Sequence, residues 1–480
     1  MSQRTFADRK DELEVLKKDY AERGKRLFVI YGRRRVGKTE LIRKFTDGKG
    51  VYFLATNEGD RENIRSFQET MAAFLRDPGI RSGLYSDWNS FFSMLSSNKA
   101  FRERLRKSKL VVAFDEFPYL IEANRSIPSV FQKIYDTLPD EAEIMLILSG
   151  SSISMMADEI LSYKSPLYGR RTGQLRLNPL KFRYIKEIIP FGLEDLCKTY
   201  FVLGGVPDYL LKFDQNLTFW ENILEKILSK GAPLYEEAEF LLRTEFREPR
   251  NYMLILKSIA KGNNTLGEIS DYTGLDKSMV SKYMDVMMSL ELISPEMPFG
   301  TSEKFKRRLY RVTDPYLKFW LRYVQPNRSE IEILRSYDVL ERVKKDFGTF
   351  SGEQFEQLMR ELVVDGIIGR PFNSASRWWG RNKAKSPGKD MEEIDVVAYS
   401  EDRDELLFGE CKWSSRRTNV DVLSDLKEKS KAVIKQHPNS RIVYAIFSKS
   451  GFSGNIDATE KDTILMDLED IGNSLERMKK

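Results

Sequence analysis

Residues 26–45, "RLFVIYGRRRVGKTELIRKF", restrict the possible folds more than any other stretch of the chain. The apolar run 27–31 reads as a buried strand, Gly32 ends it, and Thr39 opens an amphipathic helix. Between strand and helix lies G-x-x-x-x-G-K-T, here Gly32, Arg33, Arg34, Arg35, Val36, Gly37, Lys38 and Thr39. A glycine loop feeding a helix N-terminus turns backbone N–H groups and the positive helix end toward an anion. In that setting Lys38 reaches the β- and γ-phosphates of a nucleotide, and the Thr39 hydroxyl ligands Mg²⁺. A strand followed directly by a helix also predicts a parallel sheet, since parallel neighbours need a crossover between them.

Further apolar runs at 51–55, 110–114 and 144–148, with helical stretches between, predict a doubly wound α/β domain. Such sheets bind ligands at the carboxyl ends of their strands. Asp115 and Glu116 follow the strand 110–114 at such an end. Asp115 is placed to hold Mg²⁺ through water, and Glu116 to orient and deprotonate the attacking water. The strand 144–148 ends in "SGSS", where Ser149 or Ser151 either contacts the γ-phosphate or caps the next helix. In "SPLYGRRTGQLRL", Arg170 and Arg171 read either as a finger or sensor for transition-state charge, or as a solvated basic turn.

From 185 to 245 the pattern is helical, interrupted by "LGGVPDYL" at 203–210. Residues 251–293 predict a helix-turn-helix, with a first helix ending near Tyr272, a turn at Gly274 and a second helix after it. "KFKRRLYRV" (304–312) reads as a following wing strand. Lys277, Ser278, Ser281 and Lys282 would face a DNA groove if this module binds DNA; the other reading is a structural lid. These features divide the chain into an ATPase core (1–180), a helical lid (181–245), a winged helix-turn-helix (246–322), a connecting segment (323–346) and a C-terminal α/β domain (347–480).

That last domain contains charges where burial is expected. Its strands 393–399 ("EIDVVAY") and 405–412 ("ELLFGECK") carry Asp395, Glu410 and Lys412 in apolar runs. Burying an ionised group without a partner is costly. The short connection "SEDRDE" makes the two strands antiparallel neighbours, so Asp395 and Glu410 converge. Two carboxylates suit one divalent cation, and Lys412 beside them suits a water or a phosphate. The alternative is a buried salt-bridge trio. The helix 351–365 brings Glu356, and "RWWGRNKAKSPGK" (377–389) reads either as a phosphate-contacting, base-stacking segment or as a solvated loop.

Two cysteines, Cys197 and Cys411, leave no disulfide framework and point to a reducing interior. A single histidine excludes a Cys/His zinc site, so any metal must sit on carboxylates. The polar start is no secretory signal and no apolar run approaches the roughly 20 residues of a membrane helix, which predicts a cytoplasmic protein without membrane contact. A net charge of +6 permits nucleic-acid binding without establishing it.

The pieces "FADRKDELEVL", "YGRRRVGKTELI", "FDEFPYL", "LSGSSISMM", "YGRRTG", "GGVPDYL" and "EEIDVVA…LLFGECKW" together resemble the archaeal-type P-loop ATPases that carry a C-terminal DUF234 domain, over nearly the whole chain. The arrangement of Asp395, Glu410 and Lys412 resembles the PD-(D/E)XK nucleases, with Ile394 in place of their usual proline and Glu356 at the position of an additional acid. The first piece resembles the adenine-side box of origin-recognition ATPases, which implies a role for Arg9 at the base or ribose. "GGVP" resembles the lid motif of STAND ATPases, which implies that Pro207 lies near the nucleotide. The resemblance implies a P-loop core with helical lid, winged helix and restriction-endonuclease-like domain. The expected cofactors are ATP and Mg²⁺, with Mn²⁺ as an alternative at the nuclease site. The expected function is ATP-gated DNA processing by a metal-dependent nuclease in a homo-oligomer such as a hexamer. The competing expectations are a STAND-like regulatory switch, or a DNA loader or remodeller whose C-terminal domain binds without cutting.

Overall fold

The computed structural model describes residues 7–246, 248–301, 308–381, 391–419, 421–453 and 462–478. Two compact units divide them: Met1–Leu180 with Val206–Tyr209 and Arg243–Arg247, and the remainder of the chain.

The first unit is built on strands β1 (Arg26–Tyr31), β2 (Gly50–Leu54), β3 (Leu110–Asp115), β4 (Ile144–Gly150) and β5 (Gly173–Arg176), all parallel, in the order β2-β3-β4-β1-β5. The alternation of side chains along each strand feeds two cores. Leu27, Val29, Val112, Phe114, Leu146 and Leu148 enter one of them, where Phe53, Phe67, Trp88 and Phe131 gather. Phe28, Ile30, Val111, Ala113, Met145 and Ile147 enter the other, against Leu41, Ile42 and Phe45 of the helix Lys38–Thr46. Because both faces are covered, β3 and β4 read as unbroken apolar runs rather than alternating ones. Burying each large side chain here contributes roughly 1.5–3 kcal/mol, which holds the strand ends, and so the loops after them, in place.

In the second unit, helices Pro249–Ala260, Leu266–Thr273 and Lys277–Ser289 are followed by the antiparallel pair β6 (Ile293–Glu296) and β7 (Leu309–Val312). Thr265 and Glu268 form a reciprocal capping box at the start of the middle helix, and Gly274 ends it in the left-handed conformation (φ 69°). The helix Ser336–Asp365 precedes a mixed sheet. Its strands are β8 (Ser374–Arg381), β9 (Met391–Ser400) and β10 (Glu405–Lys412), then, past the short β11 (Thr418–Asn419), β12 (Arg441–Ser448) and, past β13 (Phe452–Ser453), β14 (Thr463–Met466). The order is β14-β12-β10-β9-β8, with β10 parallel to β12 and antiparallel to β9. Leu406 and Phe408 pack with Leu423, Leu426 and Val433 of the helix Asp421–Ile434.

Two expectations change here. The segment 323–346 carries the expected helical connection, but the boundary expected at 346–347 falls inside the uninterrupted helix Ser336–Asp365. Buried residues from Val339 through Val363 line that helix, so nothing in its packing marks a break. The expected basic segment 377–389 begins as strand β8, and Trp378 is only 7% exposed among Ile394, Leu406 and Phe408. A side chain buried in the sheet's core cannot stack on a base, so Trp378 is a packing residue; residues 382–389 lie outside the described residues, as do 304–307 of the expected wing strand.

Candidate functional site

Two clusters of charge stand out. In the first, Gly32 is required by close approach: a Cβ there would lie 2.3 Å from the Leu177 carbonyl oxygen. Gly37, at φ 95°, caps the helix that starts at Lys38, a backbone setting that favours glycine. Arg35 also takes a positive φ, 70°. Lys38 is 4% exposed and its ammonium donates to the carbonyls of Gly32 (2.8 Å) and Arg33 (2.9 Å). Burial lowers its pKa to about 8, against the opposing pull of Glu116 and Asp115.

Asp115 is fully buried at the end of β3. It accepts from the Thr39 hydroxyl at 2.7 Å, the Tyr52 hydroxyl at 2.9 Å and the Glu116 N–H at 3.0 Å. Glu116 sits at φ 52°, an uncommon conformation for a non-glycine residue. Its carboxylate accepts from the Ser151 hydroxyl and, at 3.4 Å, from the Ser151 N–H. The next helix is capped by Ser152 instead, whose hydroxyl accepts from the Met155 N–H. That frees Ser149 and Ser151 from the capping role: Ser151 holds Glu116, and the Ser149 hydroxyl is buried without a hydrogen-bond partner.

Thr39 and Asp115 offer the hard oxygen atoms that Mg²⁺ takes. Ser149 Oγ and Arg34 Nε are both buried and unpartnered, as groups shaped around a phosphate would be. The residues therefore fit Mg²⁺-nucleotide. The segment containing Pro207 packs with this unit: Asp208 lies 3.6 Å from Arg35, and the Tyr209 hydroxyl accepts from Arg33 at 3.2 Å. Arg9 is buried and donates to the carbonyls of Val36 (2.9 Å) and Asn178 (2.7 Å). The structure thus joins it to the back of the loop as a brace. Arg170 is spent on a two-bond pair with Asp136, at 3.1 and 2.9 Å. Arg171 lies over the Tyr168 ring, with Nη1 buried and unpartnered.

The second cluster is in the C-terminal sheet. Asp395 lies one step beyond the paired residues Val396 and Gly409, which sets it opposite Glu410. Its Oδ2 accepts the Cys411 N–H at 2.8 Å, and its own carbonyl accepts from Arg360 at 2.6 Å. Glu410 is 7% exposed and bonded by Lys412 at 2.8 Å and Lys429 at 3.5 Å. Burial raises Asp395 to about 6, helped by Glu410 and countered by its Cys411 hydrogen bond. Burial likewise raises Glu356 to about 7, with Asp395 adding to the effect. Glu356 lies 3.8 Å from Arg360. Among the described residues no group of three or more His, Cys, Asp or Glu side chains could hold a metal ion. Asp395 and Glu410 thus make a pair of ligands at most, with Glu356 beside it.

Sequence reasoning missed Arg360, Lys429 and Glu245. The first two lie on helices far along the chain from the strands they serve, and no spacing announces them. Glu245, at the end of the helix Glu237–Glu245, feels the charge of Arg34 and Lys38 of the loop although some 200 residues separate them.

A family model for ATPase domains predominantly from Archaea matches residues 6–213. A second, DUF234, for archaeal and bacterial proteins of unknown function, matches residues 320–429. A Methanocaldococcus jannaschii protein, "Uncharacterized protein MJECL04", is 35% identical over 97% of this chain and 99% of its own length. A shorter protein of the same organism, "Uncharacterized ATP-binding protein MJ0423", is 50% identical over 10% of this chain and 78% of its own length. The Walker-type ATPase PABY2304 of Pyrococcus abyssi superposes with a TM-score of 0.50 at 23% identity, covering 66% of this chain and 95% of that chain, a likeness of fold. Among the described residues no helix is long and apolar enough to cross a membrane. The chain belongs to the archaeal P-loop ATPase family whose members join an ATPase domain to a DUF234 region.

Proposed function

We propose that ATP hydrolysis at the loop 32–39 controls a metal-dependent, DNA-directed nuclease centre formed by Asp395, Glu410 and Lys412. On the ATPase side, Lys38 binds the β- and γ-phosphates, Thr39 and Asp115 hold Mg²⁺, and Glu116, steadied by Ser151, takes the proton of the attacking water. The observation that carries the nuclease half is the position of Asp395 opposite Glu410, one step past the last paired residues of adjacent antiparallel strands, with Lys412 on Glu410. Magnesium binds through one or two carboxylates and completes its shell with water and substrate phosphate, which suits a two-carboxylate site. A bound Mg²⁺ or Mn²⁺ supplies charge that stabilises the attacked phosphate. With a cation held by Asp395 and Glu410, Lys412 would be free to position the water or to meet the phosphate.

The helix-turn-helix supports a DNA partner. Lys277, Ser278 and Lys282 are exposed on its second helix, with Ser281 half-buried beside them, an arrangement suited to a groove as in winged-helix modules. An arginine supplied in trans requires neighbouring subunits, so an ATP-favoured oligomer belongs to this reading. Light scattering that finds a fully active monomer under ATP would remove it.

The deciding experiment offers single-stranded, duplex, forked and four-way DNA with Mg²⁺ or Mn²⁺, with and without ATP. Metal-dependent cutting by the wild type, lost in Lys412→Ala, supports the centre. A second reading, in which the trio is a structural ion-pair cluster and the C-terminal domain only binds, draws on Glu410 being bonded to two lysines. Absence of cutting on every substrate, with early melting of Glu410→Ala, would favour it.

A further inference from the structure

Glu245 is the last residue of the helix Glu237–Glu245, and residues 243–246 pack with the ATPase unit. Both of its carboxyl oxygens are shielded from solvent, and neither has a hydrogen-bond partner. The charges of Arg34, Lys38 and Arg33 act on it favourably, and the like charge of Glu116 unfavourably. Those cations bond elsewhere: Lys38 to the Gly32 and Arg33 carbonyls, Arg34 to the Tyr119 hydroxyl at 2.9 Å and Arg33 to the Tyr209 hydroxyl. The other acids of the site are held in place. Asp115 accepts from Thr39 and Tyr52, and Glu116 from Ser151. An acid that works on Mg²⁺ or water needs such fixing. Glu245 has attraction without fixing.

A buried carboxylate lacking hydrogen bonds is costly to keep. The field of three loop cations, which would otherwise repel one another in a site with little water, offsets part of that cost. ATP's terminal phosphate requires the same cations and brings more negative charge than a carboxylate. We propose that Glu245 is a resident anion of the phosphate loop, neutralising its cations until the terminal phosphate of ATP displaces it and shifts the end of the helix Glu237–Glu245. This rests on nucleotide binding at the loop. It adds a residue that sets ATP affinity and distinguishes ATP from ADP.

The test uses the full chain and Glu245→Gln, which keeps the shape and removes the charge. Equilibrium titration with ATP and with ADP, both with Mg²⁺ at about pH 8 so that the raised carboxyl is mostly ionised, should show the variant binding ATP about tenfold more tightly, within the usual range of coupling between sites. ADP affinity should change less than about twofold. In the wild type, amide hydrogen exchange at residues 243–246 should rise on adding ATP and stay unchanged on adding ADP, a readout that holds even if the variant folds poorly. Unchanged or weaker ATP binding in the variant, equal tightening for both nucleotides, or slower exchange at 243–246 with ATP would each overturn the proposal. A wild type that binds neither nucleotide would instead overturn the ATP-site reading, and this inference with it.

Discussion

The phosphate loop and the β9–β10 strand pair both bury charge, yet they complete their bonding in opposite ways. Around the loop, polar atoms are left open: Ser149 Oγ, Arg34 Nε and both Glu245 oxygens are buried without partners. On the strand pair the charges satisfy one another. Glu410 has Lys412 and Lys429, and Asp395 has the Cys411 N–H. Open donors such as Ser149 Oγ and Arg34 Nε make a site shaped for a ligand that brings its own oxygens. A self-paired cluster accepts a cation only by releasing its lysines, so a metal must compete there. The same chemistry of buried charge therefore leaves open polar atoms around the loop and self-paired charge on the strand pair.

The largest expected effect tests the open site. Lys38→Ala removes the ammonium proposed to bind the β- and γ-phosphates, and phosphate release should fall at least about 10²-fold. Next is Glu116→Gln. It should keep ATP binding in an equilibrium titration while turnover drops roughly 10²–10⁴-fold, since an amide accepts no proton. Hydrolysis at the wild-type rate would mean that Glu116 is not the base.

The strand pair separates function from scaffold by which quantity moves. As a metal centre, Asp395→Ala and Glu410→Ala lose Mg²⁺ affinity by calorimetry together with cutting, while Lys412→Ala keeps the metal and loses cutting. As scaffold, Glu410→Ala strands two lysines and costs up to about 3–5 kcal/mol. Lys412→Ala leaves Lys429 on Glu410 and should cost less than about 1 kcal/mol, because the Lys412 side chain is 39% exposed.

The smallest effect is a pH slope. Burial raises Glu245 from its ordinary 4.5 to about 7. The folded protein therefore binds more protons there than the unfolded chain between those values. This contribution to stability is complete below pH 4.5 and lost as the pH rises through 7, with a steepest slope of about 1.4 kcal/mol per pH unit. Denaturant midpoints of Glu245→Gln against wild type across that window should show the slope reduced in the variant. Parallel curves would mean that burial does not raise Glu245, because it is hydrated or because the loop cations fully compensate its burial.

The parallel sheet, the loop and the ends of β3 and β4 were legible in the residues, because each depends on local pattern: apolar runs, glycine where the backbone crowds, acids at strand ends. Asp395, Glu410 and Lys412 were legible for the same reason, as charges interrupting apolar strands joined by a short turn. The strand β8 was hidden, since "SASRWWGR" alternates poorly and its basic residues read as surface. Only the tertiary structure gave Arg9 to the Val36 carbonyl, Ser151 to Glu116, Lys429 to Glu410 and Glu245 to the loop. These pairings join segments distant in sequence. A local pattern states which residues must be buried or turned, but the neighbour that a buried polar atom finds is set by how whole elements pack.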